Sequence, residues 1–159
     1  MAELESVLEE RLIAELTGGE SQWTYRPDIR TEEALWANFK YILEQNNKAE
    51  LGDQLLSESE FAKVKNDLSH ASFYDAGQWL VGENGKVYVH VHRGDKVLHL
   101  KVMNNEHIAG GSSVYEVINQ YRVFKSEEDK NGRNSRYDVT LLINGIPMIH
   151  IELKNKAHS

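Results

Sequence analysis

Residues 138–154 read DVTLLINGIPMIHIELK, two apolar runs joined by Asn-Gly. Asn-Gly is a strong local signal for a β-hairpin, because both residues accept the positive φ of a tight turn. The runs VTLLI and MIHIEL are so apolar that they belong in the interior of a sheet. Yet Asp138 opens the first strand, and Glu152 and Lys154 close the second. The end of the hairpin away from its turn therefore carries two carboxylates and a lysine.

The rest of the chain supplies the layers around that hairpin. ELESVLEERLIAEL at 3–16 has apolar residues at helical spacing, and Gly18-Gly19 stops it. QWTYR at 22–26 is a short strand or an extended link, with Pro27 disfavouring helix at Arg26. Thr31 is an N-cap signal, followed by Glu32 and Glu33 in the favourable first turn of a helix running through ALWANFKYILEQNN. Ser57 and Glu60 make a capping box ahead of FAKVKNDL, and a further short helix is expected over 70–80. From Lys86 the period becomes alternating. KVYVHVHRGDKVLHLKVM predicts two strands around a turn at Arg93-Gly94-Asp95, and strands are also expected at 115–124, 137–143 and 148–154. A charged loop, 125–135, leads into the hairpin. The expected fold is α/β, with N-terminal helices (about 1–80) packed on a mixed sheet from a strand-rich part (about 86–156), all in one domain.

Charge limits the function classes. Residues 1–111 hold 11 Lys/Arg against 19 Asp/Glu, whereas 112–159 hold 7 against 6, for a net charge of −7. Affinity for DNA comes largely from cations neutralising phosphates, so this chain should bind DNA poorly unaided. Only the C-terminal third can approach phosphates without general repulsion. Cysteine is absent, which excludes disulfides and thiolate chemistry. No apolar run nears a membrane span, and MAELESVLEERL lacks the layout of a signal peptide, so a cytoplasmic protein with no membrane role is expected.

Alternate residues of a strand share a face, which groups Met148, His150, Glu152 and Lys154. Asp138 joins them from the neighbouring strand. Paired carboxylates offer hard oxygen ligands for Mg²⁺, which can polarise a phosphate and acidify a bound water. A lysine beside them can position that water and stabilise developing charge. The plain alternative is the solvated face of a strand. Burial of the hairpin favours the site, because charges are seldom buried without a partner.

Strand register is the critical condition. A two-residue type I′ turn would pair Ile143 with Ile146 and Asp138 with Ile151, sending Asp138 to the face opposite Glu152. A three-residue loop, Ile143-Asn144-Gly145, with Gly145 left-handed in a bulge, would place Asp138 opposite His150 and diagonal to Glu152. The site requires that loop, or a bulge elsewhere in the hairpin.

The hairpin resembles the nuclease signature of the PD-(D/E)XK superfamily. More narrowly, YRPDIRTEEALWANF (25–39), YEVINQYRV (115–123) and RYDVTLLINGIPMIHIELKN (136–155) resemble the N-terminal domain of the restriction (R) subunit of type I restriction-modification enzymes. The resemblance implies a restriction-endonuclease-like fold and Mg²⁺-dependent cleavage of double-stranded DNA. It implies Asp138 and Glu152 as metal ligands, the Leu153 carbonyl as a further ligand and Lys154 as the residue serving the attacking water. A glutamate of the first helix often completes such sites. Glu9 is the candidate, with Glu5 and Glu10 competing. The superfamily proline before the aspartate is replaced by Tyr137.

The family's helix after the Glu-x-Lys strand, with its Gln-x-x-x-Tyr motif, has no room before Ser159, so a C-terminally truncated domain, inactive in isolation, is expected. GENGKV at 82–87 lacks the spacing and hydroxyl of a phosphate-binding loop, so ATP is assigned to translocase domains of the full-length subunit and not to this chain. The implied partners are double-stranded DNA and the methylation and specificity subunits. The alternatives are another PD-(D/E)XK nuclease acting alone, which the net charge of −7 disfavours, and a non-catalytic module docking the R subunit to its methyltransferase partners.

Other features take the simpler reading. His90, His92 and His99 are expected to form a polar strand face rather than a zinc site. Trp23, Trp36, Phe39, Tyr41 and Trp79 are expected to pack in the core rather than stack on bases. The acidic run 127–129 reads as a solvated loop.

Overall fold

In the computed structural model of the chain, residues 2–70, 86–104, 113–123 and 135–153 are described. Four helices are found among them: α1 (Ala2–Thr17), α2 (Glu32–Asn46), α3 (Lys48–Leu51) and α4 (Glu58–His70). The strands are β1 (Trp23–Tyr25), β2 (Lys86–Arg93), β3 (Lys96–Asn104), β4 (Tyr115–Val123), β5 (Ser135–Ile143) and β6 (Ile146–Ile151). The expected helix over 70–80 falls almost wholly outside these residues, as do Trp79, most of the 125–135 loop and Lys154.

Both helix-start signals act as the sequence predicts. Thr31 is the N-cap of α2, its hydroxyl accepting from the Ala34 amide at 3.0 Å. Ser57 and Glu60 exchange hydrogen bonds, Glu60 N to Ser57 Oγ at 3.1 Å and Ser57 N to Glu60 Oε1 at 2.9 Å. That is a complete capping box. Helix α2 buries Leu35, Trp36, Phe39, Ile42 and Leu43 along one stripe and leaves Tyr41 exposed. The expectation of a core position thus holds for Trp36 and Phe39 and fails for Tyr41, which lies off the apolar stripe.

The main sheet runs β1-β4-β5-β6, with β1 parallel to β4 and the other pairs antiparallel. Alternation divides it between two cores. Val117, Val139 and Leu141 pack with Ile13 of α1, while Ile118, Leu142 and Ile146 pack with α2, α4 and the β2–β3 hairpin. The mixed α/β architecture is therefore layered, with helices on both faces of the sheet.

Side chains stitch the layers through backbone groups. Asn47 Nδ2 donates to Lys101 O at 2.9 Å and its Oδ1 accepts from Lys101 N at 2.8 Å, so it docks on β3 as a strand residue would. Arg93 spreads its guanidinium over Glu60 and the carbonyls of Leu51, Gln54 and Leu55. The β2–β3 turn is tighter than expected, with Arg93 paired to Lys96 and only Gly94-Asp95 between them.

The hairpin of β5 and β6 has a two-residue turn rather than the three-residue loop, and it meets the alternative condition of a bulge elsewhere. Ile143 pairs with Ile146, and Asn144 and Gly145 both have positive φ, 54° and 81°. That is the type I′ geometry Asn-Gly favours. The extra residue lies further along. Leu142 pairs with Pro147 but Leu141 with Ile149, which leaves Met148 as a bulge. Pro147 has no N–H for the ladder, and an edge strand with a bulge is where a proline is tolerated.

Candidate functional site at the open end of the hairpin

The Met148 bulge changes the parity of everything beyond it. Thr140 faces His150 and Val139 faces Ile151. Thr140 Oγ1 and His150 Nδ1 lie 3.1 Å apart, so they share a side. The last pair of the ladder is Val139 with Ile151, and Glu152 follows just past it. Asp138, Thr140 and His150 thus line one face of the sheet. Asp138 is not opposite His150, because the bulge sits in β6 and not in the turn.

At that end β6 leaves the ladder after Ile151. The Leu153 amide, beyond the last paired residue, donates to Asp138 Oδ2 at 2.7 Å. Asp138 is half-buried on the interior strand β5, and Glu152 is exposed. Partial burial was expected of both acids. It fails for Glu152, which lies just past β6, the edge strand among the described residues, where Ile149 is also exposed. Lys154 lies outside the described residues.

Among the first-helix glutamates, Glu9 is 8% exposed whereas Glu10 is on the solvent side. Glu5's side chain is outside the description. The Glu9 carboxylate accepts from Asn119 Nδ2 at 3.3 Å and from Gln120 Nε2. Asn119 in turn accepts from the Tyr25 hydroxyl at 2.9 Å. Gln120 has φ 59°, a left-handed conformation that costs a non-glycine residue about 1–3 kcal/mol. Asn119 pairs with Val139 and Tyr121 with Tyr137, so Gln120 stands at the rung of Asp138. Glu9 thus meets the sheet at the rung of Asp138, but from the α1 side. Among the described residues, no group of three or more His, Asp or Glu side chains converges as a metal cage.

A second polar cluster was not visible in the sequence. Glu116 on β4 is 4% exposed, and it is held by Arg26 Nη1 and by Asn38 Nδ2, the latter at 2.9 Å. Arg26 also binds Asp28 in a fork, at 3.0 and 2.8 Å. That hydrogen bonding raises the Arg26 pKa further and holds the Asp28 carboxyl below its usual range. The open cleft beside this cluster, about 380 Å³, is lined by Arg26, Asn38 and Tyr41 among others and by none of the hairpin acids. The residues involved come from three separate segments, so no local spacing announces the group.

His90 and His99 face one another across β2 and β3, with ring centroids 4.5 Å apart, on the exposed side of that hairpin with His92.

The sequence model of the type I restriction enzyme R protein N terminus matches residues 3–159. This chain belongs to that family. It is 26% identical over 130 residues to the endonuclease subunit of a type I restriction enzyme, SsaAORF53P, from Staphylococcus saprophyticus. That alignment covers 81% of this chain and 13% of the relative. The endonuclease subunit of SauCOLORF180P from Staphylococcus aureus is 26% identical over 133 residues, 83% of this chain and 13% of the relative. The chain therefore spans about an eighth of the length of the curated relatives it matches. No solved structure matches it at a significant level. Among the described residues, no helix is long and apolar enough to cross a membrane.

Proposed function

We propose that this chain is the nuclease module of a type I restriction R subunit, with a PD-(D/E)XK-type site at Asp138, Glu152 and Lys154. The observation that carries the reading is the Leu153 amide on Asp138, next to a Met148 bulge that puts His150 on the Asp138 face of the hairpin. Without the bulge, a two-residue turn would send the two acids to opposite faces.

The residues suit Mg²⁺, the metal implied by this reading. Mg²⁺ takes oxygen ligands and commonly uses only one or two carboxylates, with water and substrate phosphate completing its shell. Leu153 N–H donates to Asp138 Oδ2, a carboxylate has further lone pairs to offer a cation, and the exposed Glu152 can turn towards it. The Leu153 carbonyl adds a third oxygen. Bound there, the ion would polarise the scissile phosphate and supply hydroxide at neutral pH.

The chain's own residues do the rest. Asp138, fixed by the Leu153 amide, is a preorganised carboxylate on a rigid interior strand. Glu152, exposed just past the end of β6, answers it where DNA has access. Lys154, two residues on in the Glu-x-Lys signature, is assigned to orient the attacking water and offset charge on the phosphate oxygens. The net charge of −7 makes unaided capture of DNA weak, so the substrate is delivered by partner subunits and by ATP-driven domains of the larger protein.

The test is Lys154→Ala in the R subunit assembled with its methylation and specificity subunits. Cleavage should be lost while assembly and ATPase persist. Loss of assembly would instead identify a docking module, and unchanged cleavage would remove Lys154 from the site.

A further inference from the structure

We propose that Glu9, Asn119 and Gln120 form a clamp that positions the Asp138 rung of the sheet, with Glu9 serving the site as a positioning residue. The inference rests on the nuclease reading above and extends it to three residues outside the signature.

Neighbouring residues of a regular strand point to opposite faces. Asn119 and Gln120 nevertheless direct both their amides to one carboxylate. The left-handed φ of Gln120 is the break in alternation that allows this. Such a conformation persists only where its surroundings over-determine it. The Tyr25 hydroxyl fixes the Asn119 oxygen, which turns the Asn119 amide nitrogen to Glu9. The other Glu9 oxygen takes Gln120.

Both Glu9 oxygens are thus engaged by neutral donors in a buried setting, and Glu9 ties α1 to β4. The kink it secures lies at the Asp138 rung, where Asn119 and Tyr121 pair on either side and Gln120 does not. The clamp therefore sets how β4 meets Asp138, on the side of β5 opposite to the Leu153 contact.

The chemistry of the clamp permits a swap. Gln120→Glu alone places two carboxylates together, whereas Glu9→Gln alone removes the charge but can still accept from Asn119 and donate to a turned-over Gln120 amide. The double variant restores complementarity, because an amide at position 9 can accept from Asn119 and donate to a carboxylate at position 120.

The experiment is calorimetric titration of Mg²⁺ into the purified chain, with melting curves alongside. Gln120→Glu should weaken Mg²⁺ binding by about tenfold, the usual effect of losing an outer-shell support, and Glu9→Gln by less. The swap should recover affinity to within about threefold of the wild type, since coupled sites are non-additive. Gln120→Gly keeps the left-handed backbone without a charge conflict, so it should stay folded and still bind more weakly.

If wild-type binding is strong and Asp138→Asn abolishes it, but the swap fails or Gln120→Gly binds normally, the clamp is wrong and the nuclease reading stands. If the wild type shows no Asp138-dependent Mg²⁺ binding, both fall.

Discussion

The backbone amide of Leu153 donates to Asp138 Oδ2 at 2.7 Å, two residues beyond the last paired residue of β6. The contact joins the interior strand to the departing edge strand at the point where their ladder ends. Its donor is a main-chain group, so no substitution at position 153 other than proline would remove it.

Asp138→Asn should separate structure from chemistry at this contact. An asparagine oxygen can still accept from Leu153 N–H, so stability should change by less than about 1 kcal/mol. The anionic oxygen proposed to hold the metal is gone, and cleavage by the assembled enzyme should fall by more than about a hundredfold. Asp138→Leu should lose stability as well, having no acceptor. Paired denaturation and DNA-cleavage assays would measure both, and full activity in Asp138→Asn would exclude it as a ligand.

The turn of the same hairpin is equally intolerant, for a steric reason. A Cβ on Gly145 would lie 2.9 Å from Phe39 Cα, and its φ is +81°. Gly145→Ala therefore meets α2 backbone in a left-handed conformation, and should cost about 2–4 kcal/mol in urea denaturation. A change below about 0.5 kcal/mol would mean that α2 does not rest on the turn.

Much of this fold was legible because its signals are local. Asn144-Gly145, the Thr31 cap and the Ser57–Glu60 capping box each declare their geometry within four residues. The Met148 bulge was not, because its pattern reads equally well as regular alternation, and only the demand that Asp138 and Glu152 share a face required one. Glu9 was recoverable only as one of three helix glutamates, since burial depends on how α1 lies against β4. Arg26 and Glu116 are 90 residues apart, and Asn38 and Glu116 are 78 apart. Nothing in the neighbourhood of any one of them names the others.

The capping box at Ser57 carries a pH dependence through Glu60. Hydrogen bonds from Arg93 hold the Glu60 carboxyl at about 2, against an ordinary 4.5. A depressed pKa stabilises the fold above the unfolded-state value, and the benefit is lost as pH falls through the folded-state value. Between pH 7 and pH 3 the wild type should lose about 2 kcal/mol more than Glu60→Gln does. Urea denaturation of both proteins at the two pH values would read this directly. Equal losses would show that the Arg93 contact makes no net difference to the charged form.

The Arg26–Glu116 pair should be the most damaging place to remove a single charge. Glu116 is 4% exposed on an interior strand, and Arg26 is its ion-pair partner. Breaking a buried pair from one side leaves the other charge desolvated, which costs about 3–5 kcal/mol. Arg26→Ala should therefore destabilise the chain by that order. Arg26→Lys should recover only part of the loss, because one ammonium cannot span Asp28, Asn38 and Glu116 as the guanidinium fork does. Glu116→Gln in the Arg26→Ala background removes the orphaned charge while keeping an acceptor for Asn38, and should restore stability relative to Arg26→Ala. Denaturation midpoints for the three variants would order them. If Arg26→Ala and the double variant unfold together, the Glu116 charge is not what Arg26 is there to neutralise.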